Sequence, residues 1–555
     1  MSIQQGSAGG MPVLILKEGA TQTKGRDAQK NNITAAKLIS EVVKSSLGPR
    51  GMDKMLVDSL GDVTITNDGA TILKEIDVQH PAAKMMVEIS KATDNEVGDG
   101  TTSVVILAGA LIERAEELIG KDVHPTIIVD GYRKSAVKAI EILNTLAQKI
   151  DGSDKEQLSR VAKTSMQTKL VSKDAAELSQ IVVNAMMQIS EKTDSGYKAD
   201  IDDVKVDKKA GGSLRDTKLI KGIVLDKEVV HGGMPKRVEK AKIALITSAL
   251  EIEKTEFDAK ININSPDQMK MFLDEENRML KGMVDKIIAS GANVVVCQKG
   301  IDDIAQHYLA KANIMAIRRV KESDMTKLAR ATGARVVNNL DDLSAKDVGS
   351  ADLVEERKIE TDKWVFIEGC KHPKAVTILI RGGSQRVVDE AERSIHDAIM
   401  VTKDVLEKPA IVAGGGSPES FTAGKLRDWT NTLSGREQLA AEKFAEALEV
   451  IPLTLAENAG MDPIDAMTEL RAKQTKGSKT SGIDARNARI IDMSKLDIVE
   501  PLSVKEQVIK SATEAASMIL RIDDVIASGK SAGGPPGGGG MPPGGMGGMG
   551  GMGDM

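Results

Sequence analysis

The amino-acid sequence predicts a multidomain protein of mixed α and α/β class, with helical ends around an α/β centre. The chain has 555 residues, enough for about three or four domains at roughly 100–200 residues each. Segments of helical periodicity occupy both ends of the chain, whereas short apolar runs typical of strands are grouped in the middle. Hydrophobic residues make up 41% and charged residues 28%, so the chain can bury a sizeable core and is not wholly disordered.

In the first part of the chain, apolar residues recur at the spacing of a helix face. This pattern predicts helices at 28–47, 81–93, 103–119 and 125–147. The alternating run at 63–66 is followed by Asn67-Asp68-Gly69, which indicates a strand and then a turn.

The middle of the chain changes character, because its apolar runs become short and lie between turn residues. We expect strands at 223–225, 243–246, 294–296, 335–337 and 377–380. Helical stretches at 267–290 and 301–310 lie between some of them, an alternation typical of an α/β domain. After Gly382 the long helical patterns return, and they predict helices at 387–405, 435–448 and 504–527.

Composition excludes several classes of function. The chain has 75 Lys and Arg against 81 Asp and Glu, so a net charge of -6 gives no bulk attraction for nucleic acid or anionic membrane. No apolar run approaches the ~18 residues needed to cross a bilayer. Two cysteines form neither a disulfide framework nor a zinc ligand set, and they fit a reducing compartment. We therefore expect a cytoplasmic protein with no nucleic-acid and no membrane partner.

A candidate phosphate site lies in Gly98-Asp99-Gly100-Thr101-Thr102-Ser103. Two glycines let backbone N–H groups approach an anion, and three hydroxyl residues open the helix predicted here. Asp99 would repel a bare phosphate, but it could bind Mg²⁺ between its carboxylate and the phosphate. An N-cap turn is the alternative, since all these residue types favour that position. No Walker A box occurs, and Ser103 stands where a dinucleotide-binding fingerprint has its last glycine.

Three companion segments add weight to this site. Residues 47–51 and 67–71 are turns rich in glycine or acidic residues, and each alone is typical of plain turn chemistry. The three glycines at 414–416 cost backbone entropy, which suggests close approach of a ligand or of another backbone.

Taken together, these motifs resemble those of the group II chaperonins of archaea, whose subunits are called thermosome subunits. The resemblance covers essentially the whole chain, and its motifs are specific as a set rather than one by one. It rests on LGPRGMDKM (47–55), TNDGATIL (66–73), HPAAKMM (80–86), GDGTTSVV (98–105), SIHDA (394–398), AGGGSPE (413–419) and SGREQLA (434–440).

The resemblance implies a chaperonin fold with three domains and a tail. A helical equatorial ATP-binding domain is expected from 1–152 and 411–532, and a small intermediate domain from 153–224 and 377–410. The α/β apical domain is expected at 225–376, with a helical lid protrusion at about 250–287. Residues 533–555 are rich in glycine and methionine, a composition that predicts a flexible tail.

The same resemblance implies an ATP-dependent chaperone that hydrolyses ATP with Mg²⁺. The expected partners are identical or paralogous subunits in two stacked rings, together with non-native proteins that are enclosed and folded. Asp397 resembles the carboxylate that orients and deprotonates the attacking water, and Asp68 a second carboxylate near the γ-phosphate. Asp99 resembles the Mg²⁺ ligand, and Lys169 the lysine that senses the γ-phosphate.

The nucleotide-binding set implied by the resemblance is Leu47, Gly48, Pro49, Asp99, Gly100, Thr101, Thr102, Ser103, Lys169, Gly415, Asp484 and Glu500. Asp484 is a departure, because Asn is common at that position in the family. Five apolar residues of the lid are candidates for contacts with clients or with neighbouring lids, the alternative being packing within the lid itself: Phe257, Ile261, Ile263, Met269 and Phe272.

Two other classes of function stay open at this stage. A metabolic phosphotransferase could use the same site, but it would need a pocket for a small substrate with its own acid–base pair. A passive scaffold could bind clients without turnover, although it would not need carboxylates that activate water.

Overall fold

The computed structural model describes residues 21–193, 196–252, 265–370 and 374–527. The predicted tail at 533–555 lies outside these described residues. The helices, in chain order, are α1 (Gly25–Lys44), α2 (Gly69–Glu75), α3 (Pro81–Val97), α4 (Thr101–Ile119), α5 (Pro125–Leu146), α6 (Lys155–Met166), α7 (Ala175–Ile189), α8 (Pro266–Ala289), α9 (Asp303–Lys311), α10 (Glu322–Thr332), α11 (Gln385–Glu407), α12 (Ser417–Thr430), α13 (Gly435–Leu448), α14 (Val450–Asn458), α15 (Pro463–Thr475) and α16 (Leu502–Leu520).

The strands are mostly short and lie in several sheets. In chain order they are β1 (Thr21–Lys24), β2 (Lys54–Val57), β3 (Val63–Thr66), β4 (Gln148–Lys149), β5 (Glu191–Thr193), β6 (Gly196–Lys198), β7 (Val204–Ala210), β8 (Lys218–Ile220), β9 (Gly222–Leu225), β10 (Arg237–Ile246), β11 (Val294–Cys297), β12 (Met315–Ile317), β13 (Val336–Val337), β14 (Gly349–Ile359), β15 (Asp362–Glu368), β16 (Val376–Gly382), β17 (Ala410–Ala413), β18 (Ser481–Asp484), β19 (Arg489–Asp492), β20 (Val499–Pro501) and β21 (Asp524–Ala527).

Residues 21–31 and 522–527 form a small unit of their own. In it β1 pairs antiparallel with β21, from Thr21 opposite Ala527 to Lys24 opposite Asp524. The predicted helix at 504–527 is therefore wrong at its end, because α16 stops at Leu520. Residues 524–527 pair with β1 instead, and this long-range pairing ends the helical pattern there.

The larger unit comprises residues 32–521. Its α/β part contains a seven-stranded sheet. Its order is β12-β11-β10-β14-β15-β9, and β13 also pairs with β10. Strands β10, β11 and β12 are parallel, whereas β14, β15 and β9 join the sheet antiparallel. Runs such as Val294-Val295-Val296 are buried on both faces, as expected for a sheet covered by helices. The five strands predicted for the middle of the chain are confirmed.

A bundle of helices from both ends of the chain forms the helical part. Helix α4 lies at its centre and contacts α3, α13 and α16, and its residues 104–108 are all buried. Helices α3 and α5 each begin with a proline after a histidine, and the histidine ring accepts a hydrogen bond from an N–H of the first turn. Within the described ranges no helix combines the length and the apolar character needed to cross a membrane.

Buried apolar side chains form two large clusters. One joins residues from 33–204 with residues from 376–520, and the other lies within 223–375. The first cluster runs without a break from the end helices into 158–204, so it draws no line between the expected equatorial and intermediate domains. The domain boundaries stay a prediction.

Candidate nucleotide-binding site

One cavity of the larger unit is lined by segments that are far apart in the sequence. It contains every residue of the expected nucleotide-binding and catalytic sets. These are Leu47, Gly48, Pro49, Asp68, Asp99, Gly100, Thr101, Thr102, Ser103, Lys169, Asp397, Gly415, Asp484 and Glu500.

The floor of the cavity is the turn between α3 and α4, which depends on two glycines. Gly98 ends α3 with a φ of 66° and Gly100 precedes α4 with a φ of 79°, conformations that suit glycine. A Cβ on Gly98 would lie 2.2 Å from the Cβ of Met400, so the missing side chain lets α11 approach this turn. The N-cap of α4 is Gly100, which has no side chain to cap the first amides. The segment is thus an N-cap turn, as the alternative expected, but it leaves Thr101 to Ser103 lining the cavity at an open helix N-terminus, and the phosphate site stays a prediction.

Asp99 lies between the two glycines and has one carboxylate oxygen to spare. Its Oδ1 accepts a hydrogen bond from the Gly100 N–H at 2.6 Å, and no donor in the described part of the chain reaches Oδ2. Burial and the negative charges of Asp68 and Asp99 raise the pKa of nearby Asp94 to about 6. This excess of negative charge suits a cation at Asp99. Among the described residues no group of three acidic, histidine or cysteine side chains could hold a metal ion, so phosphate and water would have to complete its ligands.

Asp68 is the N-cap of α2, and both of its oxygens have partners. Oδ2 accepts from the Thr71 N–H at 2.8 Å, and Oδ1 accepts from the Thr101 hydroxyl at 2.9 Å. Burial alone would raise the pKa of Asp68, but the charge of Lys169 and the hydrogen bonds from Thr71 and Thr101 hold it below its ordinary value. Asp68 is therefore an ionised carboxylate that ties α2 to the start of α4.

Lys169 and Asp397 form a buried ion pair at the side of the cavity. Lys169 follows the end of α6, Asp397 lies on α11, and their side chains are only 8% and 10% exposed. A buried pair of this kind is stabilised only while both partners are present, because a single buried charge is costly. The structure thus brings together two predicted residues that are 228 positions apart in the chain.

The hairpin β18–β19 supplies another wall. Its strand β18 is tied to the triple-glycine segment, since the Ile483 N–H donates to the Gly415 carbonyl at 2.8 Å. Asp484 accepts from the Asn487 side-chain amide at 2.8 Å and from Arg489 Nε at 3.0 Å. Burial would raise the pKa of Asp484, but these hydrogen bonds lower it. Its carboxylate therefore holds the turn of the hairpin, a task that the sequence did not predict, and the expected contact with a nucleotide stays a prediction.

Glu500, whose side chain is 26% exposed, belongs to a triad with the buried Lys505 and Glu419. Lys505 Nζ lies 2.5 Å from Glu500 Oε2 and 2.8 Å from Glu419 Oε1. Burial, together with the charges of Glu419 and Asp99, raises the pKa of Glu500 even though Lys505 opposes the shift. Burial would lower the pKa of Lys505, but its two carboxylate partners raise it. Lys505 is thus a cation shared by two carboxylates that would otherwise repel each other.

The cavity lining also includes charged and amide side chains that sequence reasoning did not assign to the site, among them Asn67, Arg486 and Lys505. Asn67 precedes Asp68 in TNDGATIL (66–73), a motif in which only Asp68 was given a role. Arg486 and Lys505 belong to no recognisable motif, so no local pattern pointed to them.

Two of the expected lid residues can be described. Met269 and Phe272 lie in the first turns of α8 and are 49% and 43% exposed. Phe257, Ile261 and Ile263 lie outside the described residues. The buried face of α8 lies in its second half, at Leu280, Val284 and Ile287.

The comparison with known proteins defines the class. The family model of the TCP-1/cpn60 chaperonins matches residues 39–530. The chain belongs to this family. Among its relatives are thermosome subunit alpha of Archaeoglobus fulgidus, 59% identical over 519 residues, and a thermosome subunit of Methanopyrus kandleri, 58% identical over 519 residues. Both matches span 94% of this chain and 95% of the relative. Thermosome subunit alpha of Sulfolobus acidocaldarius is 56% identical over 541 residues, which are 94% of this chain and 97% of that protein.

Membership in this family confirms the resemblance inferred from the motifs. It also confirms the predicted fold class, a multidomain chaperonin fold of helical and α/β parts, and the predicted class of function, a chaperonin.

Proposed function

We propose that this protein is an ATPase that uses ATP and Mg²⁺ to fold other proteins in the cytoplasm. In this proposal it assembles with identical or paralogous subunits into two stacked rings and encloses non-native proteins under a lid at about 250–287. The observation that carries the proposal is the single cavity that joins an open helix N-terminus, a free carboxylate oxygen and a buried lysine–aspartate pair. These are the parts that phosphoryl transfer to water requires.

The floor of the cavity would bind the phosphates. The open N-terminus of α4 offers amides and hydroxyls from Thr101 to Ser103, where an anion is favoured by the helix dipole. Leu47 to Pro49 lie along the same floor. The free oxygen of Asp99 would hold Mg²⁺, which neutralises the phosphate charge when it is bound.

Asp397 would accept the proton of the attacking water. One oxygen of its carboxylate, Oδ2, is engaged by Lys169 in the described structure, so that oxygen is not free to accept a proton from water. The γ-phosphate of ATP offers Lys169 a competing anion, and movement of the ammonium toward it would release Asp397. The water oxygen then bonds to the γ-phosphorus, its proton passes to Asp397, and the bond to the ADP oxygen breaks. ADP lacks the γ-phosphate and would leave Asp397 engaged.

This exchange would couple hydrolysis to movement between domains. Lys169 and Asp397 lie in the segments expected to form the intermediate domain, and Asp99 lies in the expected equatorial part. ATP can favour one arrangement of these domains only through contacts that it makes there and not elsewhere. The Lys169 contact with a γ-phosphate would be such a contact.

The lysine–aspartate pair also weighs against the two other classes of function. A passive scaffold would gain nothing from a carboxylate and a lysine buried beside a phosphate floor. A phosphotransferase would need a second acid–base pair in a pocket for its acceptor, and no observation favours one.

Two measurements on the purified chain test the proposal. We expect Mg²⁺-dependent ATP hydrolysis without any added acceptor, and a sedimenting particle on the order of a megadalton, because a closed ring assembly places client-binding surfaces around a cavity. A stable 59.1 kDa monomer that needs an acceptor to consume ATP would contradict the proposal and favour a phosphotransferase.

The lid gives a separate prediction. Deleting 257–273 removes the exposed Met269 and Phe272 with the preceding segment, and it leaves the cavity residues in place. We expect ATP hydrolysis to continue while a bound client loses its protection from protease. A matched control is Ile464→Ser, which removes an apolar side chain that is 75% exposed elsewhere on the chain. Full client protection in the deletion variant would contradict the lid assignment.

A further inference from the structure

The loop that carries Lys169 begins directly after the end of α6 at Met166. The last carbonyls of a helix have no partner within it and must be satisfied by other donors. The last carbonyls of α6 accept from Gln167, Thr168 and Lys169, whereas the carbonyls of Gln167 and Thr168, just beyond the helix, accept from side chains of two distant segments. The loop between α6 and the short helical turn Leu170–Lys173 is therefore held from outside.

Asn67 is the first of these donors. Its Nδ2 donates to the Thr168 carbonyl at 2.6 Å, and the residue is buried. Asn67 lies next to Asp68, whose carboxylate binds the Thr101 hydroxyl on the phosphate floor. One short turn thus contacts both the start of α4 and the loop of Lys169.

Arg486 is the second donor, and it reaches the loop from the turn of the β18–β19 hairpin. Its Nη2 donates to the Gln167 carbonyl at 3.0 Å, where a cation at a helix C-terminus is favourable. Its own carbonyl accepts from Arg50 Nη2 at 2.8 Å. Asp484 fixes the hairpin turn through Asn487 and Arg489.

We infer that Asn67 and Arg486 are positioning residues for hydrolysis, which hold the Gln167–Lys169 loop so that the Lys169 ammonium stays at the side of the cavity, where it can pass from Asp397 to a γ-phosphate. The inference rests on the proposed function, since it assigns these residues to the γ-phosphate response of Lys169. The buried amide of Asn67 is the main support of the Gln167–Lys169 loop. The exposed guanidinium of Arg486 is a weaker support, because an exposed hydrogen bond is shared with water.

The readout that separates positioning from mere stability is the contrast between ATP and ADP. Lys169 meets the γ-phosphate, which ADP lacks, so a displaced Lys169 should change ATP turnover and leave ADP affinity as it was. A general loosening of the cavity would weaken both nucleotides. We therefore compare kcat for ATP hydrolysis with the Kd for ADP, on the full-length assembly.

In Asn67→Ala we expect kcat to fall about tenfold, with the Kd for ADP unchanged within about twofold. Arg486→Ala should lower kcat by about two- to threefold in the same pattern. The matched control is Asn458→Ala. Asn458 Nδ2 also donates to carbonyls near a helix end, that of Lys44, the last residue of α1, and that of Leu47, but it supports the segment beside Gly48. That variant should weaken ATP and ADP alike.

A double-mutant cycle with Lys169→Ala completes the test. If Asn67 acts through Lys169, then Asn67→Ala should change kcat by less than about twofold in the Lys169→Ala background. A full tenfold effect in that background, or loss of ADP affinity in step with kcat, would overturn the inference. If Lys169→Ala is impaired and Asn67→Ala is not, only this inference fails. If Lys169→Ala hydrolyses ATP normally, the proposed role of Lys169 fails as well.

Discussion

Asp397→Ala is expected to bind ATP but to hydrolyse it about 10²–10⁴-fold more slowly, the range that a positioned general base contributes. Asp397 is the carboxylate of α11 that lies in the same cavity as the phosphate floor, and Lys169 is its partner. Without it, the attacking water loses the proton acceptor that is paired with Lys169, and Asp68 is already occupied by hydrogen bonds from Thr71 and Thr101. Binding should be retained because the floor of the cavity is formed by other segments. Single-turnover hydrolysis and a separate binding titration measure the two effects.

Asp397→Asn is the matched variant, because it keeps the shape of the side chain and removes its charge and basicity. We expect it to be as slow as Asp397→Ala. Asp404→Asn is a second control on the same helix: burial raises the pKa of that carboxyl to about 7, and its Oδ2 accepts from the Ser503 hydroxyl at 3.0 Å, outside the cavity lining. Near-normal turnover by Asp397→Ala would remove Asp397 from the mechanism.

Much of the fold could be predicted because local patterns and tertiary structure agree. The spacing of apolar residues alone predicts helix α4, and the short apolar runs of β10 and β11 predict buried strands. The end of α16 could not be read in this way. Its apolar spacing continues past Leu520, but residues 524–527 pair with β1, which lies at least five hundred residues earlier. Long-range strand pairing of this kind leaves no trace in a local window.

The candidate site likewise contains residues that a local pattern predicts and residues that depend on long-range contacts. Glycines in a left-handed conformation, such as Gly98 and Gly100, could be predicted because glycine is the residue that favours this conformation. The supports of the site do not, because they depend on which distant segments meet. The bond from Asn67 to Thr168 spans 101 positions, and the bond from Arg486 to Gln167 spans 319. The resemblance implies that Asp484 contacts the nucleotide, which stays a prediction, and its bonds to Asn487 and Arg489 in the hairpin turn were not predicted.

Lys505→Met is expected to have the largest effect on stability, lowering the free energy of unfolding by about 3–5 kcal/mol at neutral pH. Lys505 is only 9% exposed and lies between Glu419 and Glu500. Methionine fills a similar volume but leaves two carboxylates close together without a cation. We expect the loss of nucleotide binding with it, because Glu500 lines the cavity. Denaturant unfolding of the variant and of the wild type, in buffers of fixed ionic strength, measures the difference.

The pH dependence of the stability lost in Lys505→Met shows whether charge repulsion causes the loss. Burial and the charge of Glu419 already raise the pKa of Glu500, and without Lys505 the pKa should rise further. A carboxyl whose pKa is raised in the folded state binds its proton there preferentially, so the deficit in stability should shrink as pH falls from about 7 toward about 5. The double variant Lys505→Met with Glu419→Gln is the matched control, because it removes one of the two opposing charges and should recover part of the loss at neutral pH. A deficit that does not change with pH, and that Glu419→Gln does not relieve, would mean that lost packing rather than charge accounts for the effect.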